Sequence, residues 1–129
     1  MPITWTISAA DRLVSARAQG LVTLQDVEAL LDDLVINNAL PYRKLFDGRG
    51  SIGKYDDNDV MAIAARISAY NNSFDLTGAA AIVVETQHHY DTALRFANIA
   101  PAKRAIRVFF SLEEARAWLD TDPRPGDSV

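Results

Sequence analysis

Gly48, Gly53 and Lys54 stand at the spacing of a phosphate-binding loop, G-x-x-x-x-G-K, within the stretch GRGSIGKY. Such a loop works because backbone N–H groups wrap the phosphates, the lysine reaches the outer ones, and a following Ser or Thr hydroxyl holds Mg²⁺. Here Tyr55 takes the hydroxyl position, and its long ring carries the phenol away from where the ion would sit. Asp56, Asp57 and Asp59 come next, at the expected start of a helix. Carboxylates there complement the helix dipole and repel a triphosphate. The stretch therefore reads as a mobile Gly-rich loop ahead of an Asp-capped helix, and not as a nucleotide site.

Other groups are weighed in the same way. His88 and His89, with Glu85 upstream, are of metal-ligating type. Adjacent residues of a helix point about 100° apart, so two neighbouring imidazoles rarely share one ion. They read as a solvated first helical turn, and no metal or other cofactor is expected. Ser51 has no base beside it, and G-x-S-x-G is absent. The chain has no cysteine, which excludes disulfides, thiolate metal sites and cysteine nucleophiles. Arg43, Lys44 and Arg49 in one stretch, and Lys103, Arg104 and Arg107 in another, are expected on solvated edges. Trp5 and Trp118 are expected in the core or at its rim. No catalytic constellation emerges, so the chain is not expected to be an enzyme.

The elements that position these residues follow from hydrophobic period. ITWTI and RLVSARAQG form an antiparallel strand pair closed by Gly20. TLQDVEALLDDLVINNAL turns to helical spacing, with Thr23 and Asp26 as a capping-box start and Pro41 as the stop. YRKLFD is a third strand and DVMAIAARISAY a helix. GAAAIVVE suits a strand buried on both faces at the centre of the sheet. HHYDTALRFANIA is a helix, RAIRVFF a strand, and SLEEARAWL a helix capped by Ser111 with Glu114. The order β-β-α-β-α-β-α-β-α predicts a five-stranded mixed sheet with the first strand antiparallel and four helices. Residues 1–120 make one domain, and 121–129 are expected to be a frayed tail.

Composition limits the role. The chain has 129 residues, 49% of them apolar and 23% charged, as for a single globular domain. Its net charge of −4 argues against nonspecific nucleic-acid or anionic-membrane binding. MPITWTIS lacks the basic and apolar regions of a signal peptide, and AAAIVV is too short to span a bilayer. A cytoplasmic protein that is not transmembrane is expected.

IRVFFSLEEARAWL, together with YRKLFDGRG and the element order, resembles the SpoIIAA-like family, relatives of STAS domains. The resemblance is carried by Leu45, Asp47, Arg49 and Gly50, then by Val108, Phe109, Glu113, Glu114, Ala115, Trp118 and Leu119, and it spans about residues 3–120. It implies an α/β two-layer sandwich of helices on a mixed sheet. Relatives include bacterial anti-sigma-factor antagonists and transporter-attached domains. In the antagonists a partner kinase phosphorylates a serine at the start of the helix after the third strand. Here that place is Asp56-Asp57-Asn58-Asp59, without a hydroxyl, so the phosphoswitch does not carry over.

The leading expectation is a non-enzymatic regulatory module that meets a protein partner through Arg49, Ser51, Lys54, Tyr55, Asp56 and Asp57. The alternative is a small-molecule or lipid-binding domain. Its apolar pocket would lie between the sheet and the helix of Tyr90, Leu94 and Phe96, beside the small residues Ala62, Ala64, Ala65 and Ala79 to Ala81. Small side chains there either leave room or permit close packing. Self-association as a homodimer, through an edge strand or an exposed helix face, is a further expectation.

Overall fold

The alternating pattern of the first eighteen residues and the helix-separated strands after them build one mixed sheet. The computed structural model describes residues 2–54, 56–73, 78–99 and 105–123, with all their side chains except those of residues 54, 71–73, 96, 98 and 99. In chain order the elements are β1 (Ile3–Ser8), β2 (Leu13–Ala18), β3 (Gly20–Thr23), α1 (Leu24–Ile36), β4 (Arg43–Asp47), β5 (Ser51–Lys54), α2 (Asp57–Ser73), β6 (Ala80–Val83), α3 (Gln87–Ile99), β7 (Ile106–Phe109) and α4 (Leu112–Asp120). The five-stranded sheet runs β1-β2-β4-β6-β7. β1 and β2 are antiparallel, and every later pair is parallel. β4 takes the middle, and β6, expected there, lies beside it as an interior strand. Of the tail expected at 121–129, residues 124–129 lie outside the described residues, as do the basic Lys103 and Arg104.

Two strands come in addition to the expected five. β3 and β5 form a small parallel sheet, with Gly20 opposite Ser51 and Thr23 opposite Lys54. Half of the stretch read as a mobile loop is thus paired strand. Gly20 and Gly50 enter it with φ of +72° and +81°, a left-handed backbone that only glycine adopts without cost, and Gly20 N donates to Gly50 O at 2.9 Å.

The register divides the core in two. Val14, Lys44, Ala80 and Ile106 lie in one row and Ala16, Phe46, Ile82 and Val108 in the next, all on one face. α1 and α2 cover that face with Leu30, Leu31, Leu34, Ile63, Ala64 and Ile67. Leu45, Ala81, Val83 and Phe109 point the other way and pack under Ala115, Leu119 and Trp118 of α4. The small Ala79 and Ala81 serve close packing there. The solvated-edge expectation fails for two cations. Lys44 is 4% exposed, and its Nζ donates to the carbonyls of Leu40 and Tyr42 at 2.6 and 2.7 Å. Arg43 Nη1 donates to Leu119 O at 2.9 Å, satisfying a carbonyl at the negative end of α4.

Capping follows the sequence. Thr23 and Asp26 close a reciprocal box on α1, and Ser111 Oγ accepts from Glu114 N at 3.2 Å. Trp5 is half-buried, and its Nε1 donates to Asp33 Oδ2 at 2.7 Å, tying edge strand β1 to α1.

Gly78 packs directly against the backbone of Pro41 and Tyr42. A Cβ there would lie 2.4 Å from Pro41 O and 2.5 Å from the Tyr42 carbonyl, both immovable backbone. At Gly50 a Cβ would meet open space. Gly78→Ala is expected to cost roughly 2 kcal/mol or more through overpacking, and Gly50→Ala roughly 1 kcal/mol through backbone conformation alone. Urea midpoints rank the two; a Gly78→Ala protein as stable as the parent would show that this approach is not tight.

Candidate functional site

A cavity of about 410 Å³ lies between the sheet and α1, α2 and α3. Ile3, Ala16 and Ala18 of the sheet floor it at the β1–β2 side, and Phe46 and Ile82 continue the floor. Val27, Leu30 and Leu31 of α1 face Val60, Ile63 and Ile67 of α2 across it. The local reason is side-chain size. β2 presents Ala16 and Ala18 to α1, where larger residues would fill the gap, while α1 and α2 start from the outlying β3 and β5 and stand off from the sheet.

The mouth lies at the carboxyl ends of the parallel strands, where α/β sheets tend to place binding sites. Ser51, Ile52 and Gly53 of β5 line one side, and His88, His89, Thr92 and Ala93 of α3 the other. Ile52 is 63% exposed and His88 is exposed, so solvent reaches this end. Lys44 lies at the amino end of β4, and with its ammonium held on two backbone carbonyls its stem is what it offers to the wall.

Beside the mouth, Arg49 grips the buried Asp47 in a two-pronged ion pair, Nε to Oδ1 and Nη2 to Oδ2 both at 2.9 Å. Arg49 N adds a third bond to Oδ1 at 3.2 Å. The guanidinium hydrogen bond holds the Asp47 carboxyl below the usual carboxylate value, outweighing the upward push of burial. The same bond raises the Arg49 guanidinium.

Of the six residues proposed from sequence, Ser51 lines the mouth, and it and the described side chains of Arg49, Asp56 and Asp57 are largely engaged internally. Arg49 is spent on Asp47. Ser51 Oγ donates to Gly48 O. Asp56 caps α2, accepting from Asp59 N at 2.9 Å while its own N donates to Asp59 Oδ2 at 3.2 Å. Asp57 pairs with Arg95 of α3. Lys54 ends β5, with its side chain outside the described set, and Tyr55 lies outside the described residues. The amides that a phosphate would need are also taken. Gly48 N donates to Val83 O at 2.8 Å, Gly50 N to Glu85 Oε1 at 2.6 Å and Ser51 N to Gly48 O at 3.2 Å.

The pocket expected near Tyr90, Leu94 and Phe96 lies elsewhere on the same helix. Tyr90 stacks on Phe110 with ring centroids 5.1 Å apart, and α3 reaches the cavity with His88, His89, Thr92 and Ala93 instead. The side chain of Phe96 lies outside the described set. No group of three or more His, Cys, Asp or Glu able to hold a metal occurs among the described residues. Sequence reasoning expected an apolar pocket between the sheet and the helices but misplaced it, because its walls come from α1, α2 and β2, segments that read individually as ordinary core. The one available signal was the pair Ala16 and Ala18 on the inward face of a strand.

No family model matches the chain, and no curated protein matches it. Among solved structures it is similar to an uncharacterised protein of the DUF3478 family with a SpoIIAA-like fold, from Shewanella loihica PV-4. That match has a TM-score of 0.61 at 16% identity and covers 91% of this chain and 93% of the other. The SpoIIAA-like fold implied by the terminal segment is therefore the fold of this chain. Among the described residues, no helix is long and apolar enough to cross a membrane.

Folding lowers the proton affinity of Asp47, so its ion pair stabilises the protein above the ordinary value of 3.8. That contribution is lost as pH falls through the lowered folded value. Asp47→Asn is expected to reduce the urea midpoint at neutral pH, and the gap to the parent to close below about pH 4. A gap of undiminished size in stronger acid would mean that Asp47 acts through packing and not through its charge.

Proposed function

We propose that this protein is a non-enzymatic binding module that takes a small, mainly apolar ligand into the cavity between the sheet and α1–α3. The cavity itself carries the reading. Its volume of about 410 Å³ falls within the range of ligand pockets, roughly 300–1,000 Å³, whereas close-packed interiors hold few voids larger than a water molecule. Apolar walls with a few polar groups at one end are the usual composition of such sites. The internal engagement of Arg49, Ser51, Asp56 and Asp57 weighs for this reading over contact through the 49–57 stretch.

One observation favours the regulatory, protein-contacting alternative. Leu21 and Ile52 are opposite each other in the small sheet and are 51% and 63% exposed, an apolar pair beside the mouth. On that reading Leu21→Asp, outside the cavity lining, abolishes capture of a protein partner from host lysate and leaves ligand binding intact.

For the cavity, a small uncharged fluorophore such as 1-naphthol is expected to bind saturably at one site, with Kd on the order of 10 μM. Ala93→Trp places an indole in the mouth from a half-buried helix position and is expected to weaken binding roughly ten-fold or more, about 1.4 kcal/mol. Circular dichroism checks that the variant stays folded. Fluorophore uptake that ignores Ala93→Trp in a folded variant would place the binding elsewhere.

A further inference from the structure

Granting the cavity reading above, we infer that its ligand is a single-chain amphiphile with an uncharged polar head, the tail against α1 and α2 and the head at the α3 mouth. Size sets the first part. A volume of about 410 Å³ accommodates about a dozen non-hydrogen atoms at ~30 Å³ each, the length of a medium alkyl chain with its head group. Polarity sets the direction. The deep walls are Leu30, Leu31, Ile63 and Ile67, while hydroxyl and imidazole groups of Ser51, His88, His89 and Thr92 collect at the solvent end. Ser51 and Thr92 already donate to the carbonyls of Gly48 and His88, which leaves their oxygens as acceptors.

Charge around the mouth selects the head. Asp47 and Arg49 neutralise each other, as do Asp57 and Arg95. Asp56, Asp59 and Glu85 take backbone N–H groups and carry no ion pair to a described cation. They flank the lining residues, Asp56 and Asp59 between Gly53 and Val60, and Glu85 directly after Val84. With Lys54 beside Gly53 counted, and Arg49 attracting Glu85 as well, carboxylates still outnumber cations around the mouth, so an anionic head enters a net negative field. Of the carboxylates, it is Asp47 that lines the cavity, and Arg49 already holds it, so a cationic head loses hydration without gaining a dedicated partner among the lining groups. An uncharged hydroxyl or carbonyl head needs only the hydroxyl oxygens and imidazoles present.

Isothermal titration with decanol, decanoate and decylammonium below their aggregation limits holds the tail constant and varies only the head. Decanol is expected to bind about ten-fold tighter than decanoate, the size of a like-charge penalty at a partly solvated rim. It is also expected to bind more tightly than decylammonium. Glu85→Gln keeps an acceptor for Gly50 N while removing one charge, and is expected to raise decanoate affinity about three-fold with decanol unchanged. Decanoate or decylammonium binding as tightly as decanol overturns the uncharged head and leaves the cavity reading in place. So does a decanol-to-decanoate ratio that Glu85→Gln fails to move. If none of the three binds, the cavity reading falls with it.

Discussion

The parallel pairing of β3 with β5 is the constraint on which the rest of the site depends. β3 runs straight into α1 through the Thr23 cap, and β5 lies two residues ahead of α2. Joining these two strands therefore fixes where both helices begin. They begin beyond the end of the main sheet, not on it, so their apolar stripes converge on each other across a gap. Two glycines with left-handed backbone and one hydrogen bond between them, Gly20 N to Gly50 O, let the chain enter the pair.

The two faces of the sheet show what that constraint does. Under α4, Ala79, Ala81 and Ala105 let the helix approach until Ala115 and Leu119 are fully enclosed. The close approach removes space, as interiors usually require. On the opposite face, Ala16 and Ala18 are equally small, but α1 cannot come down to meet them. Trp5 reaches up to Asp33, and Arg66 bridges to Asp32 and Glu28, holding α1 to its neighbours at that height. The same residue type thus makes a tight contact on one face and a cavity floor on the other.

The GRGSIGKY stretch serves this arrangement as structure. Its amides and side chains close the turn, hold Asp47, and pair β5, so a phosphate would have to displace internal bonds to sit there. The motif resemblance arises because glycines are needed for backbone reasons in either setting. Shared fold with a SpoIIAA-like protein leaves the role open, because such folds carry many functions and the site decides among them. Here the best-developed site is the cavity.

By itself the sequence determined the five main strands, four helices, parallel order, and the caps at Thr23 and Ser111, because each rests on local period and short-range hydrogen bonding. It determined the acidic start of α2 for the same reason, since a capping carboxylate acts on its own turn. Lys44 and Arg43 were misread as solvated because a lysine in a strand declares its charge but not the carbonyls of Leu40 and Tyr42 that receive it. Only the tertiary structure decided that the four residues beginning at Gly20 pair with the four after Gly50, a contact between segments about thirty residues apart with no local signature. The cavity follows from that pairing. Its walls are ordinary apolar residues, and what makes them a site is the distance at which β3 and β5 hold α1 and α2 from the sheet.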